Sequence, residues 1–329
     1  MRIDMHTHII PPEWPDWRAQ FGSGAWPRLE PHNDGTASMF MGDKLFMRLD
    51  HRFWSVSPRL TDMDRFLVDM QVLSPIPAMA CYWANAAANQ VVARFLNEHI
   101  ASVVAEHPDR FIGMATVPLQ DPERAIEEIR HARESLGIRA VQIGTCPAGR
   151  ELDDPLLSPF FQACQDLSVS IFVHPIMPIL GRERMDRYYL PNIVGNPMES
   201  TLAISRLIFG GVLDRFPKLK FCFAHAGGTF SFILGRVMKG YEVRPETRGL
   251  LSQPPSEYAR RIYVDSLTFD AASLHLVIEK HGVERILMGS DYPFSLGDTN
   301  PVASIKEAKL DEQTEDLVWD KNVREFFSF

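Results

Sequence analysis

The run Met1-Arg2-Ile3-Asp4-Met5-His6-Thr7-His8 sets two histidines two residues apart in an alternating segment. Side chains two apart on a strand point the same way, so His6 and His8 form a pair of imidazoles at one strand end. Such a pair is a natural part of a metal site, although short His-x-His matches also occur in purely structural settings. Three further apolar runs end in side chains of the same kind: Phe172-Val173-His174-Pro175, Ala224-His225-Ala226-Gly227-Gly228 and Met288-Gly289-Ser290-Asp291-Tyr292-Pro293. Taken singly, each reads as a hydrogen-bonded core residue. Taken together they place metal-compatible groups at several strand ends, where unpartnered polar groups would be costly to bury. Three imidazoles and a carboxylate make a borderline-soft donor set that suits one zinc ion, with manganese or iron as alternatives. The expected ligands are His6, His8, His174 and Asp291, with a position left open for water or substrate. His225 is expected beside the metal as a general acid/base, and Asp291 as a catalytic group as well as a ligand. A fifth ligand or a structural histidine is the alternative for His225.

The elements that must hold these residues are legible as eight apolar, β-branched-rich runs: 3–8, 72–77, 112–118, 141–145, 171–175, 221–226, 262–266 and 286–292. They are too continuously apolar for one-sided antiparallel strands and read as buried parallel ones. Helical stretches lie between most of them. Asp121-Pro122 is a start signal, followed by Ala125, Ile126, Ile129 and Ala132 at helical spacing. Leu202, Ile204, Leu207, Ile208 and Val212 form a second apolar face. Strands alternating with helices predict an α/β fold, a (β/α)8 barrel of one domain over residues 1–329. Its active site belongs at the C-terminal strand ends, where the histidines fall. Residues 11–54, rich in Pro, Gly, Trp and Asp, are too long for a plain loop and read as a small β insertion after strand one, over the barrel mouth. Met177–Pro197 and Tyr241–Ser256 are expected as two further excursions on that face.

A net charge of −8 argues against nucleic acid as the main partner, and an anionic substrate would need local arginines or a metal. No apolar run approaches the ~18 residues of a membrane span, and the opening lacks the basic and apolar stretches of a secretion signal. Cys81, Cys146, Cys164 and Cys222 form no CxxC pair and sit in apolar contexts. Reduced, buried thiols in a cytoplasmic protein are the expected reading. Ala226-Gly227-Gly228 lacks the GxGxxG spacing of a dinucleotide turn.

In this order, the HxH, HP, HAGG and GSDYPF runs resemble the amidohydrolase superfamily. More narrowly, they resemble the decarboxylase branch typified by 2-amino-3-carboxymuconate-6-semialdehyde decarboxylase. The resemblance extends through Pro12-Glu13-Trp14-Pro15, Val141-Gln142-Ile143-Gly144-Thr145 and Phe216-Pro217-Lys218-Leu219-Lys220, over essentially the whole chain. It implies a (β/α)8 barrel with a small β insertion, one divalent metal and a homodimer. It assigns the metal to His6, His8, His174 and Asp291 and catalysis to His225, and it places Arg236 in the neighbouring subunit's site. Binuclear members carry a bridging lysine or carboxylate at the end of strand four, where Ile143-Gly144-Thr145 offers none.

The chain departs from that branch where substrate would bind. The Phe-Arg that holds a substrate carboxylate there falls at Phe46-Met47, with Arg48 one place late. The His-Pro-Trp-Asp turn reads His174-Pro175-Ile176-Met177, and the Trp-Leu-Pro-Trp segment reads Tyr189-Leu190-Pro191-Asn192. A one-residue shift on a strand turns a side chain to the opposite face. Arg48, Asn192, Arg236 and Phe294 are the expected substrate-binding residues. The function implied is metal-dependent, non-oxidative decarboxylation of a small-molecule carboxylate. The substrate would be a hydroxylated aromatic or pyridine carboxylate such as a dihydroxypicolinate, or an aminocarboxymuconate semialdehyde. The competing classes are a mononuclear hydrolase or lactonase, a hydratase of the same fold, and a non-catalytic metal-binding barrel.

Overall fold

Runs of apolar residues with no polar face can be satisfied only when both sides of a strand are covered, and the chain meets this demand by closing its strands into a ring. The computed structural model describes residues 1–176 and 180–329; Met177, named above with the His174-Pro175-Ile176 turn, lies outside them. In chain order the strands are β1 (Ile3–Ile9); the insertion strands β2 (Pro27–Pro31), β3 (Thr36–Met41) and β4 (Lys44–Asp50); and β5 (Met70–Pro75). Then come β6 (Phe111–Gly113) and β7 (Ala115–Thr116), two halves of one stave, followed by β8 (Ala140–Ile143) and β9 (Ser170–Val173). The last are β10 (Phe221–Phe223), β11 (Tyr263–Asp265) and β12 (Ile286–Leu287). β1, β5 and β6 pair in parallel, and so do β7 to β12 in succession. The last stave then closes on the first: Met5 N–H donates to the Met288 carbonyl, Asp291 N–H to that of His6 and His8 N–H to that of Tyr292, each at 2.8 Å. The result is the (β/α)8 barrel, and these closing bonds seat His6, His8 and Asp291 side by side.

Below the mouth the barrel interior is apolar. Met5, Met114, Phe172 and Leu287 fill it, and Phe326 and Phe327 of the C-terminal helix Asn322–Phe327 plug the bottom. The outer strand faces pack on the helices as the spacing predicts. Asp121 accepts from the N–H groups of Glu123 and Arg124 to cap the helix Pro122–Glu134, which buries Ala125, Ile129 and Ala132. Burial of Ile129 alone contributes about 2 kcal/mol.

The insertion is an antiparallel sheet in the order β2-β3-β4. Its Trp26, Met39 and Leu49 share a separate apolar cluster with Val92 and Leu96 of the long helix Ala86–Glu106. Between Met39 and Phe40 the pairing slips, so that Met47 faces Met39, Leu45 faces Phe40, and Phe46 is the extra residue of a bulge.

Tyr241–Ser256 is placed differently from the sequence expectation. It follows the helix Phe230–Val243 down from the mouth and lies at the opposite end of the barrel, where Ser252 Oγ donates to Asp214 Oδ1 at 2.8 Å. Helix-to-strand connections lie at the N-terminal face of such a barrel and strand-to-helix connections at the mouth, which the length of a loop does not reveal.

Candidate active site

Each mouth histidine stands at the end of a stave, and each of the three deepest has its inner nitrogen tied. His6 Nδ1 donates to Asp265 Oδ2 at 2.7 Å, His8 Nδ1 to the Pro75 carbonyl at 3.1 Å, and His174 Nδ1 to the Pro175 carbonyl at 2.6 Å. These bonds fix the tautomer and turn each Nε2 toward the mouth, as the outer hydrogen bonds of metal-bound histidines do. His6 Nε2 and His8 Nε2 lie 3.2 and 3.0 Å from Asp291 Oδ1. The rings of His6, His8 and His174 contact one another with centroids 5.0 to 5.3 Å apart. His174 Nε2 is buried with no hydrogen-bond partner among the described residues. Inward-facing Nε2 atoms around a carboxylate, with those of His6 and His174 unpartnered by hydrogen bonds among the described residues, fit a divalent cation of the zinc or manganese type.

His225 completes the cluster from β10. His6, His174, His225 and Asp291 each present one ligand atom within 4.8 Å of all the others, a mutual grouping that has His225 rather than His8. His225 differs from the other three at Nδ1, which has no hydrogen-bond partner among the described residues, while Nε2 faces Asp291 Oδ2 at 3.7 Å. Its backbone is held instead: the N–H groups of His225 and Ala226 donate to Asp265 Oδ2 and Oδ1 at 2.9 and 2.7 Å. His225, Ala226 and Asp291 all have left-handed φ, at 56°, 54° and 61°. Non-glycine residues adopt that conformation at a cost and only where their surroundings impose it.

Burial is the largest single influence on these groups, and their charged neighbours decide where it is overcome. On its own it would push the His6 imidazole down, but the Asp291 and Asp265 carboxylates outweigh it and raise that group to about 10. Burial lowers His174 well below the ordinary imidazole range, and the neighbouring His225 and His6 add to this. The imidazoles of His6, His225 and His8 overcome burial to hold Asp291 far below the usual carboxylate range. A cation entering the cluster therefore replaces the proton on His6 and meets an ionised carboxylate.

The family profile described as Amidohydrolase matches residues 3–329. The chain belongs to the amidohydrolase family. It is 40% identical, over 99% of its length and 91% of the relative, to a 2-amino-3-carboxymuconate-6-semialdehyde decarboxylase of Dictyostelium discoideum. The solved structure of 5-carboxyvanillate decarboxylase LigW from Sphingomonas paucimobilis is 26% identical, covers 100% of this chain and 99% of its own, and superposes with a TM-score of 0.84. A dihydroxybenzoic acid decarboxylase from Polaromonas, solved with manganese and an inhibitor, shares the fold at a TM-score of 0.80 and 20% identity, over 99% of this chain and 96% of its own.

In this amidohydrolase barrel a cavity of about 260 Å³ opens on His174, His225 and Asp291. Asn192 and Phe294 line it, as the sequence led one to expect, and so do Phe46 and Met47 from the bulged strand. The structure does not bring Arg48 there. It is exposed on β4 opposite Ser38 and does not line the cavity, because strand alternation and the bulge turn Phe46 and Met47 inward instead. Arg236 is exposed on the outside of the helix Phe230–Val243, outside its own chain's cavity. Sequence reasoning missed Asp265, which orients both His6 and the His225 turn. The only signal was an aspartate closing the apolar run Ile262-Tyr263-Val264. It also missed Gly289. A Cβ there would stand 2.9 Å from that of His6 and 2.8 Å from that of Asp265, so only glycine admits both.

Proposed function

We propose that the chain is a metal-dependent, non-oxidative decarboxylase whose substrate is a hydroxylated benzoate or pyridine carboxylate. The observation that carries this is the convergence of His6, His8 and His174, each tied at Nδ1, on the ionised Asp291 in a small cavity with His225 on its wall. His6, His8, His174 and Asp291 would hold the metal. His225, whose Nδ1 has no hydrogen-bond partner among the described residues, is left to move a proton. The bound metal supplies Lewis acidity for the substrate's carboxylate or an adjacent oxygen. His225 delivers a proton to the ring carbon that bears the carboxylate. The carbon–carboxylate bond then breaks, its electron pair restores the aromatic ring, and carbon dioxide leaves. Asp291 Oδ2, 3.7 Å from His225 Nε2, keeps a negative charge beside the imidazole as it gives up and regains its proton. The apolar walls of Phe294, Phe46 and Ile76 exclude water from that step.

A cavity below the ~300–1,000 Å³ of drug-sized sites suits a single ring. The 40% identity to the Dictyostelium enzyme supports a second reading, an aminocarboxymuconate semialdehyde as substrate. Met47, Ile176 and Asn192 on the cavity wall favour the ring. The donor set favours zinc, and the manganese of the Polaromonas structure makes that metal the alternative. Phe232, 81% exposed one helical turn before Arg236, supports a homodimer in which this face meets the partner subunit. Four free thiols support a cytoplasmic protein, and no helix among the described residues is long and apolar enough to cross a membrane. We read residues 1–329 as one catalytic domain.

The test is incubation of metal-loaded protein with hydroxybenzoates, hydroxypyridine carboxylates and the muconate semialdehyde, followed by mass and carbon dioxide release. Loss of carbon dioxide without gain of water is expected. Gain of water without carbon dioxide would place the chain among hydrolases, lactonases or hydratases.

A further inference from the structure

The wall of the cavity away from the histidines comes from the segment after β9, and it carries a polar side chain with no hydrogen-bond partner among the described residues. Asn196 is 8% exposed, lines the cavity, and makes no side-chain hydrogen bond among the described residues. Its amide opens on the cavity with no protein partner among the described residues, so it is available to bond to a ligand there. Beside it, Asn192 Nδ2 donates to Tyr189 Oη at 3.2 Å, and both residues line the same cavity. This edge is not free to drift. Thr201 Oγ1 donates to the Pro197 carbonyl at 2.8 Å and accepts from Thr229 N–H at 2.8 Å, which ties the segment to the His225 turn. The approach is so close that a Cβ on Gly228, which has a φ of +67°, would stand 1.9 Å from the Pro197 oxygen. Asn196 is thus held at a set distance from His225.

We propose that Asn196, with the Tyr189–Asn192 pair, reads a second, neutral hydrogen-bonding substituent on the substrate ring, such as a hydroxyl or a ring N–H or carbonyl. The inference rests on the aromatic-carboxylate reading above. Neutrality follows from the groups at this edge: two amides and a phenol, with no lysine or arginine of the chain's own lining beside them among the described residues, match a neutral donor or acceptor. Asn196 and Tyr189 would therefore set which ring-substituted acid is preferred, and the histidine cluster would treat all such acids alike.

The probes are salicylate and its 2,3-, 2,4-, 2,5- and 2,6-dihydroxy counterparts, titrated against metal-loaded protein by rapid-mixing fluorescence complete before turnover. One dihydroxy isomer is expected to bind about 2- to 12-fold more tightly than salicylate, the range of one neutral hydrogen bond. Asn196→Leu should erase that preference and leave salicylate affinity unchanged. Tyr189→Phe, which removes only a hydroxyl from a partly exposed side chain, should narrow the preference without disturbing the fold. A preference that survives both variants, or an equal loss for salicylate and the favoured isomer, would overturn the inference. So would binding of salicylate with no isomer preferred, which leaves the decarboxylase reading intact. If none of these acids binds, the aromatic-carboxylate reading falls and this inference falls with it.

Discussion

Two sets of buried histidines can be compared within this barrel. At the bottom, His281 ends the helix Ala271–His281, fully buried, with Nδ1 donating to the Ala259 and Ile262 carbonyls at 3.0 and 3.2 Å. Its Nε2 has no hydrogen-bond partner among the described residues, and its ring lies near that of Phe230. At the mouth, His6, His8 and His174 are equally buried and tied at Nδ1 in the same way. A tied, buried imidazole is therefore not itself a sign of chemistry. The difference is what the other nitrogen meets: His281 stands alone, whereas the mouth histidines point at one another and at Asp291. Convergence marks the site, and it is a property of strand register.

The largest effect that sharpens this contrast is His174→Ala. Losing one converging nitrogen should abolish decarboxylation and cut the metal content of purified protein, read by elemental analysis. Full metal retention would break the assignment. His225→Ala should retain metal and lose about 10²–10⁴-fold in turnover, as removal of a general acid does. Wild-type turnover would remove its role. Asp265→Asn weakens the tie on His6 and should lower metal affinity about 10–100-fold by competition with a chelator, with the barrel still folded.

The smallest effect belongs to the solitary histidine. Burial lowers His281 from 6.5 to about 4. Between those values the unfolded chain binds a proton that the folded chain does not, so stability should rise with pH across that window, by up to about 3 kcal/mol. His281→Leu should flatten that part of a chemical-denaturation profile and leave metal affinity unchanged. If it lowers metal affinity instead, the two ends of the barrel are coupled and the contrast fails.

Much of this was legible in the chain. Buried parallel strands advertise themselves by continuous apolar runs, and the last few residues of each run reach the mouth, so reading the ends of 3–8, 171–175, 221–226 and 286–292 gave the histidine cluster and Asp291. Asp265 escaped because one aspartate at a strand end has no partner until β10 and β11 are paired. Arg48 misled because a single residue decides the face of a strand, and the Phe46 bulge is invisible in the sequence. The face reached by Tyr241–Ser256 depended on whether a helix preceded or followed it. Asn196 had no signal beyond its type, since its unsatisfied amide exists only once the cavity does.

The insertion sheet keeps its hydrophobic cluster apart from the barrel's, anchored on the helix Ala86–Glu106, and among the described residues it lines the cavity with Phe46 and Met47. The roof of the cavity and the metal-binding floor therefore sit on pieces that fold around different cores. A lineage, or a protein engineer, can lengthen, recolour or replace this roof and inherit the metal chemistry beneath it unchanged.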